Sequence, residues 1–158
     1  MSEEQQTPDK HFDIQRIFIK DVSFETPNSP QIFLEEWKPN IDFQLGTETH
    51  QIADHLYEIM VRVTVTNKVG EKVAFLAEVE QAGIFAIKGF SDQEMPHMVG
   101  SYCPGILFPY LREVVSDLVI KGGFPQFLMA PVNFDALLAQ HMQQAQAEQQ
   151  DNNAETEH

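Results

Sequence analysis

The chain has 158 residues, of which 42% are hydrophobic, so it is large enough to bury a core in one domain. Its formal net charge of −14 excludes nucleic acid and anionic membrane surfaces as expected partners and favours cationic ones at short range. A single cysteine, Cys103, excludes an intrachain disulfide framework and indicates a reducing compartment. Since the start is polar and acidic and no apolar stretch could span a bilayer, we expect a cytoplasmic protein without direct membrane insertion.

The first predicted strand follows residues 1–11, whose polar composition predicts a flexible N-terminal arm. Its apolar residues begin on even positions, as at Phe12, but they also include Ile17 and Ile19 on odd positions. This mixed parity predicts a strand with both faces partly covered and a bulge near Arg16.

Three further strands are predicted before residue 90. Residues 41–45 alternate between apolar and polar, and residues 57–65 alternate most clearly, with Val and Ile on odd positions. A hairpin turn at residues 67–70 leads into a return strand over 73–79, and Gly83 is a candidate for a bend in it.

The second half of the chain has helical periodicity. A capping-box pattern at residues 91–94 starts a short helical entry, and the Pro-Gly pair at 104–105 is expected to interrupt it. An apolar stripe over residues 107–118 predicts a long helix that ends at the glycines 122–123. Asn133 is the expected cap of a short last helix.

These elements predict an α+β fold, namely a four-stranded antiparallel sheet with one long and one short helix on one face. The domain is expected to span residues 12–142, and residues 143–158 form a Gln-rich acidic tail that predicts disorder. Because two helices leave sheet edges and part of the sheet surface uncovered, we expect a homo-oligomer.

The sequence gives no sign of catalysis, so we expect no enzyme, cofactor or metal. It has neither a phosphate-binding P-loop nor a dinucleotide glycine fingerprint. His97 and Cys103 are six residues apart, and His50 and His55 are five apart, whereas metal ligands usually pair at two to four residues. Structural or solvated histidines and a buried, inert thiol are the favoured interpretations.

Apolar side chains also occur in segments where glycine or proline predicts irregular structure. They either cover the core and an oligomer interface or form an open groove, in which flexible Met and Phe side chains could bind varied unfolded polypeptides. A scaffold that binds one folded partner is the alternative class, and it would show no affinity for diverse unfolded chains. The residues assigned to the candidate groove are Trp37, Phe43, Phe90, Met95, Leu107, Phe108, Phe124, Phe127, Leu128 and Met129.

Several long segments resemble the SecB family of protein-export chaperones. Residues 100–110 (Gly-Ser-Tyr-Cys-Pro-Gly-Ile-Leu-Phe-Pro-Tyr) resemble the signature of that family at the start of its long helix. Residues 131–137 (Pro-Val-Asn-Phe-Asp-Ala-Leu), 14–17 and 20–25 are similar to it as well, and the resemblance covers the chain from residue 11 to residue 142.

The resemblance implies a homotetramer, a dimer of dimers, with the SecB fold of four antiparallel strands, a long helix and a short one. It implies an ATP-independent holdase that keeps secretory precursors unfolded and translocation-competent and delivers them to the SecA motor of the Sec pathway. The zinc-binding C-terminal segment of SecA, which is basic, is then expected at Asp21, Glu25, Leu76 and Glu78, and tetramer assembly is expected to involve Ala77, Val79 and Gln81.

Overall fold

The computed structural model describes residues 9–156, and its framework is one antiparallel sheet of four long strands. The strands are β1 (His11–Glu25), β2 (Pro39–Ala53), β3 (Leu56–Val69) and β4 (Lys72–Lys88). Their order is β1-β4-β3-β2, so β1 and β2 are the edge strands. The predicted four-stranded antiparallel sheet is confirmed. Residues 1–8 of the predicted arm lie outside the described residues, and β1 already begins at its last residue, His11.

One face of the sheet is buried and the other is partly open. The odd residues of β3 from Ile59 to Val65 are fully buried, and opposite residues on β4, such as Ala77 and Val79, share their face. The even residues of both strands form the other face, which is open at Glu78 but covered at Met60 and Ala82, where both residues are buried. This division is typical of an antiparallel sheet with helices on one side.

Two bulges explain the mixed parity of β1. The register with β4 shifts at residues 14–16 and again at 19–21, so each shift exchanges the parity of the residues that face the core. As a result Phe12, Ile17 and Val22 all stand opposite core-facing residues of β4. The bulge expected near Arg16 is confirmed. Partial cover of both faces is confirmed as well, because Phe18 is partly buried on the other face, opposite the buried Ala82.

The helices cover the buried face. A continuous helical stretch consists of α1 (Met95–His97), a π turn (Met98–Tyr102) and α2 (Cys103–Lys121), and α2 packs on β3 and β4. The apolar stripe of α2 is confirmed, with its inward residues fully buried. Among residues 9–156, no helix is both long and apolar enough to cross a bilayer.

The helical stretch is not interrupted where the sequence predicts. Pro104 lies in the first turn of α2, where its missing N–H matters least, and the irregularity is absorbed just before it. There the N–H of Cys103 donates to the carbonyl of Met98, five residues back, and so closes the π turn.

The last helix, α3 (Phe134–Thr156), is longer than the sequence predicts. Asn133 caps it as expected, since its Oδ1 accepts from the N–H of Ala136 at 3.1 Å. The predicted disordered tail differs from the structure over residues 143–156, which continue α3 with side chains exposed as far as residue 155. Ala, Gln and Glu favour helix locally even without tertiary packing.

Candidate functional site

The segment between α2 and α3, residues 124–133, has no regular structure and is here called the crossover segment. Together with Phe43 of β2 it encloses an apolar pocket of about 380 Å³. Phe43 is 40% exposed because it lies on an edge strand, and Leu128 is 64% exposed. The complete lining of this pocket is Phe43, Phe127, Leu128, Met129, Ala130, Pro131 and Val132.

Three contacts hold the crossover segment in place while its apolar side chains stay accessible. The Oγ of Ser116 on α2 donates a hydrogen bond to the carbonyl of Phe127 at 3.1 Å. Met129 is buried in the core, and Phe134 at the start of α3 packs edge-on against Phe108. The backbone is therefore anchored, and Leu128 between the anchors faces solvent.

An aromatic cluster extends the apolar surface at the start of the crossover segment. The ring of Phe124 lies 5.2 Å from Phe33, 5.7 Å from Trp37 and 5.3 Å from Phe75, measured between ring centroids. These distances are typical of favourable aromatic pairs. The cluster joins the loop between β1 and β2 to the crossover segment, and Leu34 at its rim is almost fully exposed.

A second pocket, of about 160 Å³, lies between β2 and α3. Leu45 of β2 faces Leu137 and Leu138 of α3 across it, and Gly100 of the π turn borders it. Phe43 and Leu45 lie on the same face of β2, so the two pockets follow one strand. The two pockets together are here called the apolar groove.

The groove contains part of the predicted set of residues. The structure brings together Phe43, Phe127, Leu128 and Met129 in the first pocket, and it places Trp37 and Phe124 in the adjoining aromatic cluster.

Four other candidates lie elsewhere. Leu107 and Phe108 belong to α2 and point into the core, where both are buried, and this corrects their assignment to an open groove. Phe90 and Met95 lie at the opposite end of the sheet and are partly buried.

The sequence interpretation missed the contributions of α3 and of the second half of the crossover segment. The missed residues are Leu137 and Leu138, which line the second pocket, and Val132, which lines the first. The available signal was the apolar composition of residues 124–131, which indicated that this connection is more than a solvated loop.

The residues expected to bind a basic segment lie together on the open face of the sheet. Glu25 stands opposite Leu76 and Ser23 stands opposite Glu78, so Asp21, Glu25 and Glu78 are neighbours on β1 and β4. All three carboxylates are exposed, and none of them has an ion-pair partner within residues 9–156. This set, with Leu76, is here called the acidic patch.

The neighbouring acids Glu58 and Glu80 differ from the acidic patch, because each forms an ion pair with a basic residue. Lys20 lies 2.7 Å from Glu58, and Arg62 lies 2.7 Å from Glu80. The hydrogen bond to Glu58 raises the pKa of Lys20, and the hydrogen bond to Glu80 raises the pKa of Arg62. The carboxylates of the acidic patch, by contrast, form no ion pair within residues 9–156.

The residues expected to contribute to assembly lie inside the subunit. Ala77 and Val79 are fully buried under α2, opposite valines of β3. Gln81 is also buried, and its Nε2 donates to the carbonyl of Phe18 at 3.0 Å, beside the second bulge of β1. These positions can therefore influence a subunit interface only through the shape of the sheet.

The structure gives no support to a nucleophile or a metal centre. Burial raises the pKa of the Cys103 thiol to about 12, so it is protonated at neutral pH. Across the described part of the chain, no three His, Cys, Asp or Glu side chains are close enough to hold a metal ion.

Comparison with known proteins identifies the family. Residues 3–145 match the family model of the preprotein translocase subunit SecB. The chain belongs to the SecB family. It is 56% identical over 150 residues to the protein-export protein SecB of Methylococcus capsulatus, covering 95% of this chain and 97% of that one. It is 55% identical over 138 residues to the protein-export protein SecB of Nitrosococcus oceani, covering 86% of this chain and 84% of that one.

A solved structure shares the fold at low sequence identity. The SecB-like chaperone of Mycobacterium tuberculosis, in complex with a ChAD peptide from an antitoxin, matches with a TM-score of 0.64 and 14% identity. The match covers 77% of this chain and 91% of that chain. The sheet and helices described above are therefore the SecB fold.

Proposed function

We propose that the protein is an ATP-independent chaperone that binds unfolded secretory precursors in the apolar groove and keeps them competent for translocation. The observation that carries this proposal is the anchored crossover segment with its exposed apolar side chains, Leu128 above all. Membership of the SecB family supports a role in protein export. The mycobacterial SecB-like chaperone, whose structure contains a bound peptide, supports polypeptide as the ligand.

The chemistry of the groove suits many clients. Each apolar client side chain that becomes buried contributes about 1.5–3 kcal/mol, and this contribution requires no defined partner. Met and Phe side chains adapt their shape to different ligands. The groove therefore favours extended, apolar stretches that a folded protein hides, and it discriminates by foldedness instead of by sequence.

We propose that the acidic patch binds the basic, zinc-binding C-terminal segment of SecA. Asp21, Glu25 and Glu78 supply three exposed negative charges that form no ion pair within residues 9–156, and Leu76 supplies an apolar contact beside them. The patch lies on the open face of the sheet, whereas the groove lies on the helix-covered side. One subunit could thus hold a client and bind the motor at the same time.

We also propose that the protein acts in the cytoplasm as a homotetramer, a dimer of dimers. Strand β1 is an edge strand. Ile14, Ile19 and Val22 lie on the same face of the sheet as the core residues of β4, yet their side chains are exposed to solvent. Covering them with a second copy would remove apolar surface from water. Ala77, Val79 and Gln81 would contribute by holding β4 and the bulged strand β1 in the required shape.

The proposal is tested by two measurements on the full-length protein. Light scattering should give the mass of four subunits, and the particle should suppress aggregation of a slow-folding precursor and of an unrelated denatured protein without ATP. A scaffold for one folded partner would leave both denatured proteins to aggregate. That result would overturn the chaperone function.

A further inference from the structure

Three polar side chains connect the end of α1 and the π turn to the first turn of α3. The Oγ of Ser101 donates a hydrogen bond to Oδ1 of Asp135. The Nε2 of His97 lies 3.1 Å from the same oxygen. Ser101 is only 8% exposed, so its hydroxyl is held in a mostly dry environment, whereas His97 and Asp135 are open to water. These three residues are here called the latch.

The π turn is shaped to receive α3 at this point. A Cβ atom on Gly100 would lie 2.7 Å from Cδ1 of Leu138, so the two helices approach closely here and a larger residue would require the Leu138 side chain to move. The π turn also buries Met98 and Ser101, which places the serine hydroxyl towards Asp135. π turns are frequent at functional positions of helices.

The hydrogen bond from Ser101 lowers the pKa of Asp135, and the charge of a protonated His97 acts in the same direction. Asp135 is therefore an ionised acceptor at neutral pH. A carboxylate that accepts from a hydroxyl makes a stronger hydrogen bond than a neutral acceptor does.

The latch lies where the crossover segment ends. At its start this segment is fixed by Phe124 in the aromatic cluster, and near its middle by the bond from Ser116 to the carbonyl of Phe127. Beyond Met129 the next polar anchors are the Asn133 cap and Asp135. The last residues of the crossover segment, which line the first pocket, thus take their position from the start of α3.

We propose that Ser101, His97 and Asp135 are positioning residues that set the shape of the apolar groove, and therefore client affinity, without touching the client. This inference rests on the proposed chaperone function. The latch ties α3 to the π turn, α3 fixes the end of the crossover segment, and the crossover segment forms one wall of the groove. Loss of the latch leaves the apolar side chains present but less well ordered for binding.

The test uses the full-length protein with Asp135→Ala, and with Asp117→Ala as the matched control. Asp117 pairs with Lys121 on the exposed face of α2, so the control also removes one surface carboxylate and one ion pair. Hydrogen exchange is followed in residues 125–133 and in β3 and β4. Release of a fluorescent, denatured precursor is followed in parallel, and light scattering gives the mass of the particle.

For Asp135→Ala we expect exchange in residues 125–133 and client release to become faster by roughly tenfold, with β3, β4 and the mass unchanged. Ser101→Ala should produce the same pattern to a smaller extent. Asp135→Asn keeps an oxygen that accepts from Ser101, so it should recover most of the wild-type behaviour. The control should match wild type in all three measurements.

Wild-type exchange and release in Asp135→Ala would overturn the latch. Faster exchange throughout β3 and β4 would overturn it as well, because Asp135 would then support the whole fold instead of the groove. Failure of the wild-type protein to bind any denatured precursor would overturn the proposed function instead. The exchange data would still show whether the latch orders residues 125–133.

Discussion

Leu128 lies between two anchored residues and exposes most of its side chain in the first pocket of the groove. A leucine that a client buries contributes about 1.5–3 kcal/mol. Leu128→Ser should therefore weaken binding of a denatured precursor by roughly tenfold or more, while the midpoint of thermal unfolding stays unchanged, because the side chain supports no part of the core. Fluorescence anisotropy with a labelled precursor measures the first effect, and calorimetry measures the second.

The matched control is Ile52→Ser, which removes a similarly exposed apolar side chain at the far end of β2. Its client affinity should equal that of the wild type. Equal weakening by both substitutions would mean that the clients adhere to any apolar surface and that the groove has no special role.

Glu78 belongs to the acidic patch and is remote from the groove, so the two proposed sites can be separated by one charge reversal. Glu78→Lys should abolish binding of the SecA segment, because it puts a cation where a basic ligand requires an anion. Client affinity should remain within about twofold. Surface plasmon resonance with the SecA segment and anisotropy with a precursor measure the two properties.

The control for this charge reversal is Glu113→Lys, which makes the same change on the exposed face of α2. It should retain SecA binding. If Glu113→Lys were as damaging as Glu78→Lys, the net charge of the particle and not the acidic patch would govern the interaction.

At the level of elements, β1 is held in a bulged shape by an amide from β4. The Nε2 of Gln81 donates to the carbonyl of Phe18 in a part-buried hydrogen bond. Gln81→Leu should lower the free energy of unfolding by about 0.5–1.5 kcal/mol, since it removes this hydrogen bond. It should also shift the tetramer towards smaller species, because β1 is the edge proposed to meet another subunit.

Denaturant unfolding and native mass spectrometry check these two effects. Val115→Leu is a comparison that disturbs the core on α2 but leaves the hydrogen bond of Gln81 in place. If Val115→Leu dissociated the particle at equal loss of stability, assembly would depend on overall stability and not on the shape of β1.

The elements also show where sequence reasoning succeeds and where it fails. The strict alternation of β3 predicts its buried face correctly, because one residue step always exchanges the faces of a regular strand. The bulges of β1 break that rule, and their position depends on pairing with residues of β4 that are distant in the sequence, such as Phe85 opposite Ile14. A local pattern can indicate irregularity, as it does near Arg16, but it cannot decide which face each later residue takes.

The candidate groove was predicted in part for a similar reason. Glycine and proline within residues 104–109 suggested irregular structure around Leu107 and Phe108, although the apolar stripe from residue 107 predicts a helix, and the structure accommodates both prolines in α2. Because proline has no N–H, Pro109 leaves the carbonyl of Gly105 without its helical donor. Gly105 is exposed, so a water molecule can donate to this carbonyl instead. The apolar composition of residues 124–131 was a better guide, because their function as a wall of the groove needs no regular structure.

At the level of the whole molecule, charge and apolar surface act in opposite directions. One subunit carries −14, so four subunits would carry −56, and this repulsion opposes assembly. Apolar burial at the subunit interfaces has to exceed it. The same negative charge favours binding of a basic SecA segment, because opposite charges attract.

Ionic strength should therefore change the two associations in opposite directions. Raising salt from roughly 10 mM to about 150 mM shortens the Debye length from about 30 Å to about 8 Å. We expect the tetramer to become more stable against dilution and SecA binding to become weaker. Client affinity, which depends on apolar contacts, should change little.

Light scattering across a dilution series and surface plasmon resonance at the same two salt concentrations measure the opposing shifts. Glu25→Gln provides a control within the patch: it should reduce the salt dependence of SecA binding while leaving that of assembly nearly unchanged, because one of about fourteen net charges per subunit is removed. If assembly and SecA binding both weakened with salt, attraction between charges would hold the subunits together. Ion pairs, and not the apolar edge of β1, would then be the basis of assembly.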